Sequence, residues 1–201
     1  MSVRSFTPTL ARSLVRLRRR YRNTNFQPHF RKAKIQVTLG DISAAVDSYS
    51  KGLRFDPNNA PAIKEKEEAK KMLQRMELAL SCLDKYENNM QKIEGRQALS
   101  QIVAVLGTCP GWRKAKVVKC RALYAAGKID EALSLCTSLM RSGGAGGLDN
   151  EILFTRARCL KGMGDMDDAV KHYKMILQGD PDNAKAKAGE DIIESIEQGA
   201  Q

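Results

Sequence analysis

A period of thirty-four residues constrains this chain more than any other feature. Residues 150–183 (NEILFTRARCLKGMGDMDDAVKHYKMILQGDPDN) carry it most cleanly. Gly164-Asp165 lies between two apolar stripes, and glycine there can take the positive φ that ends a helix. Ahead of it, Ile152, Leu153, Ala157 and Leu160 mark the buried side of one helix; after it, Ala169, Val170, Tyr173, Ile176 and Leu177 fall on one face of a second. Pro181 cannot continue that second helix, because it lacks the N–H and its ring clashes with the preceding turn. Two helices this short leave apolar faces uncovered, so the unit requires others of its own kind to stack on.

Those others are present. Gly40-Asp41 leads into Ala45, Val46, Tyr49 and Leu53, closed by Asp56-Pro57-Asn58-Asn59, with seventeen residues from glycine to proline as between Gly164 and Pro181. The same spacing joins Ile93 to Pro110 around Ala98, Leu99, Ile102 and Val105, and Gly127 leads into Ala132, Leu133, Cys136 and Leu139. The units are therefore 26–59, 79–112, 113–149 and 150–183, the last three forming one block over 79–183. Small residues stand where paired helices must approach: Ala33, Cys120 and Ala157 in first helices, and Ala45, Ala98, Ala132 and Ala169 in second helices. Tyr86 takes that place in the 79–112 unit, which is therefore the irregular one. The 113–149 unit replaces the Asp-Pro stop with a glycine-rich connection, residues 142–147.

Two further stretches complete the architecture. Residues 60–78 hold many strong helix formers and read as a charged helical linker, with 62 to about 92 as one long helix. Their charge run suits a solvated face with i,i+4 pairs. Residues 184–201 read as a capping helix and tail, with Ala186, Ala188, Ile192, Ile193 and Ile196 covering the last repeat. The fold class is all-α: a helix–turn–helix solenoid with a long linker helix and a carboxy-terminal capping helix.

The formal charge of +11 is concentrated in one place. Residues 1–25 contain seven arginines and no acid, leaving the remainder of the 201-residue chain near +4. Phe6, Leu10, Leu14, Leu17 and Tyr21 line one side of this basic arm, and its Arg-rich, acid-free composition is that of an organelle transit peptide. A solvated basic arm, or the start of a truncated or alternatively spliced chain, are the other readings. The expected location is cytoplasmic, or mitochondrial if residues 1–25 are a transit peptide. Five cysteines (Cys82, Cys109, Cys120, Cys136, Cys159) include no C-x-x-C pair and read as packed, reduced thiols. No run is long and apolar enough to span a bilayer.

The repeat resembles the tetratricopeptide repeat. Leu39-Gly40, Ala45, Tyr49 and Pro57, and again Met163-Gly164, Ala169, Tyr173 and Pro181, match its motif places. The order of repeat, charged spacer, atypical repeat and cysteine-bearing repeat resembles the middle of the tetratricopeptide-repeat J-domain (DnaJ-like) co-chaperones. The residues carrying this likeness, within 26–198, are 29–40 (HFRKAKIQVTLG), Ala98-Leu99 with Pro110, 114–127 (KAKVVKCRALYAAG) and 157–160 (ARCL). That resemblance implies a chaperone-associated role. The family's His-Pro-Asp tripeptide is missing, since the only histidines are His29 and His172, so this chain would be a truncated or divergent member unable to stimulate the ATPase by that route. Related co-chaperones hold acidic chaperone tails in a two-carboxylate clamp. Its places fall on Leu83, Glu87, Val118, Glu151 and Thr155, or one unit later on Val117, Arg121, Thr155, Lys185 and Gly189. Only Lys185 matches in type.

No catalytic constellation, phosphate loop, cofactor motif or metal-ligand spacing is present, which argues against an enzyme. Binding remains. First helices of stacked pairs line a concave surface suited to an extended or helical peptide. Helical spacing nominates Lys114, Val117, Arg121 and Tyr124, then Phe154, Arg158 and Lys161, then Lys185 as groove residues. Arg121, Arg158 and Lys185 facing one groove would favour an acidic peptide, such as acidic segments of DnaK- or HtpG-type heat-shock chaperones, or of client proteins. A non-enzymatic, chaperone-associated scaffold is the leading reading, with a mitochondrial assembly adaptor as the alternative. RNA binding fits less well, because the repeats are near-neutral and offer few groove aromatics.

Overall fold

The structure, a computed structural model, describes residues 27–142 and 149–199. The basic arm (1–25), most of the glycine-rich connection (143–148) and the side chain of Ile196 lie outside the described residues. Every described element is an α-helix: α1 Gln27–Leu39, α2 Ile42–Phe55, α3 Ala60–Asn89, α4 Lys92–Thr108, α5 Arg113–Ala125, α6 Ile129–Ser142, α7 Asn150–Met163, α8 Met166–Gly179 and α9 Ala184–Gly199. The chain divides into two compact units, Met1–Gln74 and Arg75–Gln201, with the boundary inside α3.

The glycines at the predicted turns do what their sequence places require. Gly40, Gly127 and Gly164 have φ of 82°, 83° and 90°, a region that side chains with a Cβ enter only at a cost. Asp41 and Asp165 then cap the second helices, their carboxylates accepting from the N–H groups of Ala44 and Asp168 at 3.3 Å each. The Asp-Pro-x-Asn segments are more than stops. Asn59 donates to Asp56 at 3.0 Å and accepts from the Ala62 N–H at 3.0 Å, so it caps α3; Asn183 does the same with Asp180 and Ala186 at 3.0 and 3.1 Å. One short motif therefore ends a helix and starts the next.

In the first unit α1 packs on α2 around Ala33, Ala45, Tyr49 and Ala62, with Phe30, Val37 and Leu53 against them. Burial and a hydrogen bond to Glu65 raise the Tyr49 phenol well above its ordinary value. In the second unit each helix from α4 to α9 packs on the next, and alternate helices α5, α7 and α9 also touch one another. The small residues expected at helix crossings (Ala33, Ala45, Ala98, Cys120, Ala132, Ala157 and Ala169) are all fully buried. The capping helix covers Ala169, Tyr173 and Ile176 through Ala186 and Ile193. Ala188 and Ile192, expected on that covered face, instead stay exposed.

The irregular unit departs from the sequence reading in one respect. The turn between its helices falls at Met90 (φ 58°), not at Ile93, so α4 begins three residues early and Ile93 lies exposed within it. Ala98 keeps the place of Ala45 and Ala169, seven residues before the carbonyl that accepts the C-cap N–H (Val105, as Gly52 and Ile176), and Gly95 lies one turn ahead of it in the added start of α4. Tyr86, buried, fills the first-helix position that is small elsewhere, while Gly95 lies against the backbone at the end of α5.

All five cysteines are buried as thiols. The Cys136 thiol is pushed strongly up by its hydrogen bond with Cys120 and by burial, and burial raises Cys159 to about 12. Thiolate is the reactive species, so iodoacetamide at about pH 8 should alkylate both roughly 100-fold more slowly in the native chain than in guanidinium. Equal rates, read by mass spectrometry, would contradict this packing.

Candidate functional site

The repeat register places the site. Glu87, Arg121 and Arg158 hold the same position in three successive units, as do Lys114, Glu151 and Lys185 at another. Successive first helices lie side by side, so these positions form two rows across one face of the second unit. Between them lie two adjoining hollows, of about 200 and 340 Å³, that share Glu87, Phe154 and Lys185 as their common wall.

The smaller hollow is bounded by charge. Arg121, whose side chain is only 16% exposed, donates through Nη2 to Glu87 Oε1 at 2.9 Å and through Nη1 to Glu151 Oε1 at 3.4 Å. Lys185 Nζ donates to the other oxygen of Glu87 at 3.3 Å. Burial would raise the Glu87 carboxyl, but the charges of Arg121 and Lys185 and their hydrogen bonds outweigh it and hold the group below its ordinary value.

The larger hollow is mostly apolar and aromatic, with Met90, Tyr124, Phe154, Tyr173, Gly189 and Ile192 around it. Arg158 lies over the Tyr124 ring, 4.4 Å from its centroid, and within 5.6 Å of the Phe154 centroid. Both contacts are of cation–π type, which a planar guanidinium satisfies while its edge stays available for hydrogen bonds. Lys161, one turn further along α7, is lowered by burial and then by the charge of Arg158. Among the described residues neither cation makes an ion pair with a carboxylate. Tyr173 forms the floor; burial raises its phenol to about 12, with Arg158 pulling the other way.

Of the sequence-nominated residues, Arg121, Phe154, Arg158, Lys161 and Lys185 come together in these hollows, and Tyr124 joins them. Lys114 is exposed on the first turn of α5 and lines neither hollow. It holds the place of Glu151 and Lys185 one or two repeats earlier, and seven residues from Arg121 is roughly 10 Å along the helix axis. The expectation of an open basic groove changes more. Arg121 and Lys185 are occupied by carboxylates of the chain itself, so of the cations lining the hollows Arg158 and Lys161 are the two without an acid partner among the described residues. Glu87, central to both hollows, was missed as a groove residue. The available signal was the register, in which it aligns with Arg121 and Arg158. Among the described residues no group of His, Cys, Asp and Glu could hold a metal ion, and no helix is long and apolar enough to cross a membrane.

Comparison with known proteins agrees with this architecture. Tetratricopeptide-repeat family models match residues 26–59 and 151–186. DnaJ homolog subfamily C member 7 from Homo sapiens and that from Mus musculus are each 25% identical to this chain over 158 residues, covering 79% of it and 30% of the relative. The match thus spans less than a third of the relatives' length. The crystal structure of the P58(IPK) TPR domain superposes with a TM-score of 0.70 at 16% identity, over 88% of this chain and 48% of that one, and supports the fold. Repeats of this kind bind proteins or peptides. The chain thus folds as an all-α tetratricopeptide-repeat solenoid, carrying repeats of that family at residues 26–59 and 151–186 as interaction scaffolds do, and is similar in sequence to DnaJ homolog subfamily C member 7.

Proposed function

We propose that this protein is a chaperone-associated scaffold whose second unit holds an extended segment of a client or a chaperone in the groove between α3, α5, α7 and α9. The observation that carries this is the larger hollow. An aromatic floor and two cations that pair with no acid among the described residues form a receptor for an apolar side chain with a carboxylate beside it. The similarity to a DnaJ homolog supports the chaperone association, and the groove supports the binding mode. Helices present such surfaces at fixed spacing, so the free groove is largely preorganised and little ordering cost falls on the scaffold.

Pull-down of a purified DnaK-type chaperone, and of a reduced model client, tests the reading. Wild type should capture at least one of them, and Arg158→Glu should weaken that capture by about tenfold or more, since it reverses the charge at the hollow's centre. Equal capture by both proteins, or capture by neither, would overturn the proposal.

A further inference from the structure

We propose that Glu87 is the specificity-determining residue of this groove, an internal carboxylate seated between Arg121 and Lys185 where a ligand's acid would otherwise sit. The groove then accepts segments carrying an apolar side chain beside a single carboxylate and turns away runs of acids. This rests on the groove reading above and adds the class of segment it selects.

Three observations converge. Both oxygens of Glu87 are engaged, one by Arg121 at 2.9 Å and one by Lys185 at 3.3 Å, while the second arm of Arg121 goes to Glu151. The guanidinium fork is therefore divided between two carboxylates of the chain, and a ligand acid entering there must displace Glu87. The displaced group would lose its partners in a partly buried place, and it would repel the incoming charge. By contrast, Arg158 lies over Tyr124 and Phe154 with Lys161 lining the same hollow, and among the described residues neither pairs with a carboxylate, so one ligand carboxylate would relieve their mutual repulsion. The adjoining hollow of about 340 Å³ has room for an apolar side chain against Phe154, Tyr173 and Ile192. Rejection is built from a repulsive element as well as an attractive one, which is how specificity between similar ligands is commonly obtained.

Fluorescence anisotropy with three labelled peptides tests this: an apolar anchor beside one aspartate, the same peptide with serine for the anchor, and a run of acids without an anchor. Wild type should bind the anchored peptide about tenfold or more tightly than either of the others. Glu87→Gln, close to isosteric, should raise affinity for the acidic run by about tenfold and so narrow the preference for the anchored peptide. Glu151→Gln is the control. It removes the same unit of charge nearby without vacating the place between Arg121 and Lys185, so its gain should stay below about threefold. No gain for the acidic run in Glu87→Gln, or an equal gain in Glu151→Gln, overturns the inference, while wild-type binding of the anchored peptide would leave the groove reading standing. Absence of binding by any peptide to any of the proteins overturns both.

Discussion

Gly95→Ala should destabilise the second unit by about 3 kcal/mol or more, lowering its melting temperature by on the order of 10 °C. A Cβ at this position would lie 2.2 Å from the Ala125 carbonyl carbon, 2.4 Å from its oxygen and 2.5 Å from the Ala126 nitrogen. All three are backbone atoms at the end of α5, so no side chain can rotate away and the two helices must separate. Alanine's better helix propensity returns only about 1 kcal/mol. Gly107→Ala in the same helix is the internal control, because a Cβ there meets nothing within 4 Å. It should be neutral or stabilise by up to about 1 kcal/mol. Circular dichroism melts of the two variants decide the matter. Equal melting temperatures would mean that α4 and α5 do not approach this closely.

The second large effect is at Tyr173. Its side chain is 1% exposed, its ring lies 5.9 Å from that of Phe154, and Gly189 of the capping helix rests against its face, where a Cβ would come within 2.6 Å. Tyr173→Ala should cost about 3–5 kcal/mol, the loss of a large aromatic plus the cavity it leaves between α7, α8 and α9. Tyr173→Phe keeps the ring and should stay within about 1 kcal/mol. Because the ring also forms the floor of the larger hollow, the alanine variant should lose the anchored peptide while the phenylalanine variant retains it. A stable alanine variant that still binds would place the anchor elsewhere.

These two predictions also mark the limit of local reading. Tyr173 was legible as a core residue because it continues the stripe begun by Ala169. Gly95 was not legible as a contact, because the pattern pointed to Ile93 as the turn. A left-handed Met90, which no propensity favours, moved the helix start by three residues and brought Gly95 against α5. Likewise Asn59 and Asn183 looked like parts of a stop, and their second role as caps appears only once the following helices are seen to start there.

The groove divides in the same way. Helical spacing alone could bring Arg121, Phe154, Arg158, Lys161 and Lys185 to one surface, since positions repeated in each unit must align when the units stack. It could not say which charges would be satisfied internally. Glu87 meets Arg121 across one repeat and Lys185 across 98 residues of chain, and those distances depend on how far each helix pair is rotated against the next.

The sequence by itself therefore determined the helices, the three glycine turns and the small residues at the crossings of the regular units. All of these are short-range consequences of periodicity, glycine conformation and capping. Only the tertiary structure decided the character of the groove: a carboxylate between Arg121 and Lys185, and two cations beside an aromatic floor. Coulombic pairing acts through space, between side chains that the chain order keeps apart.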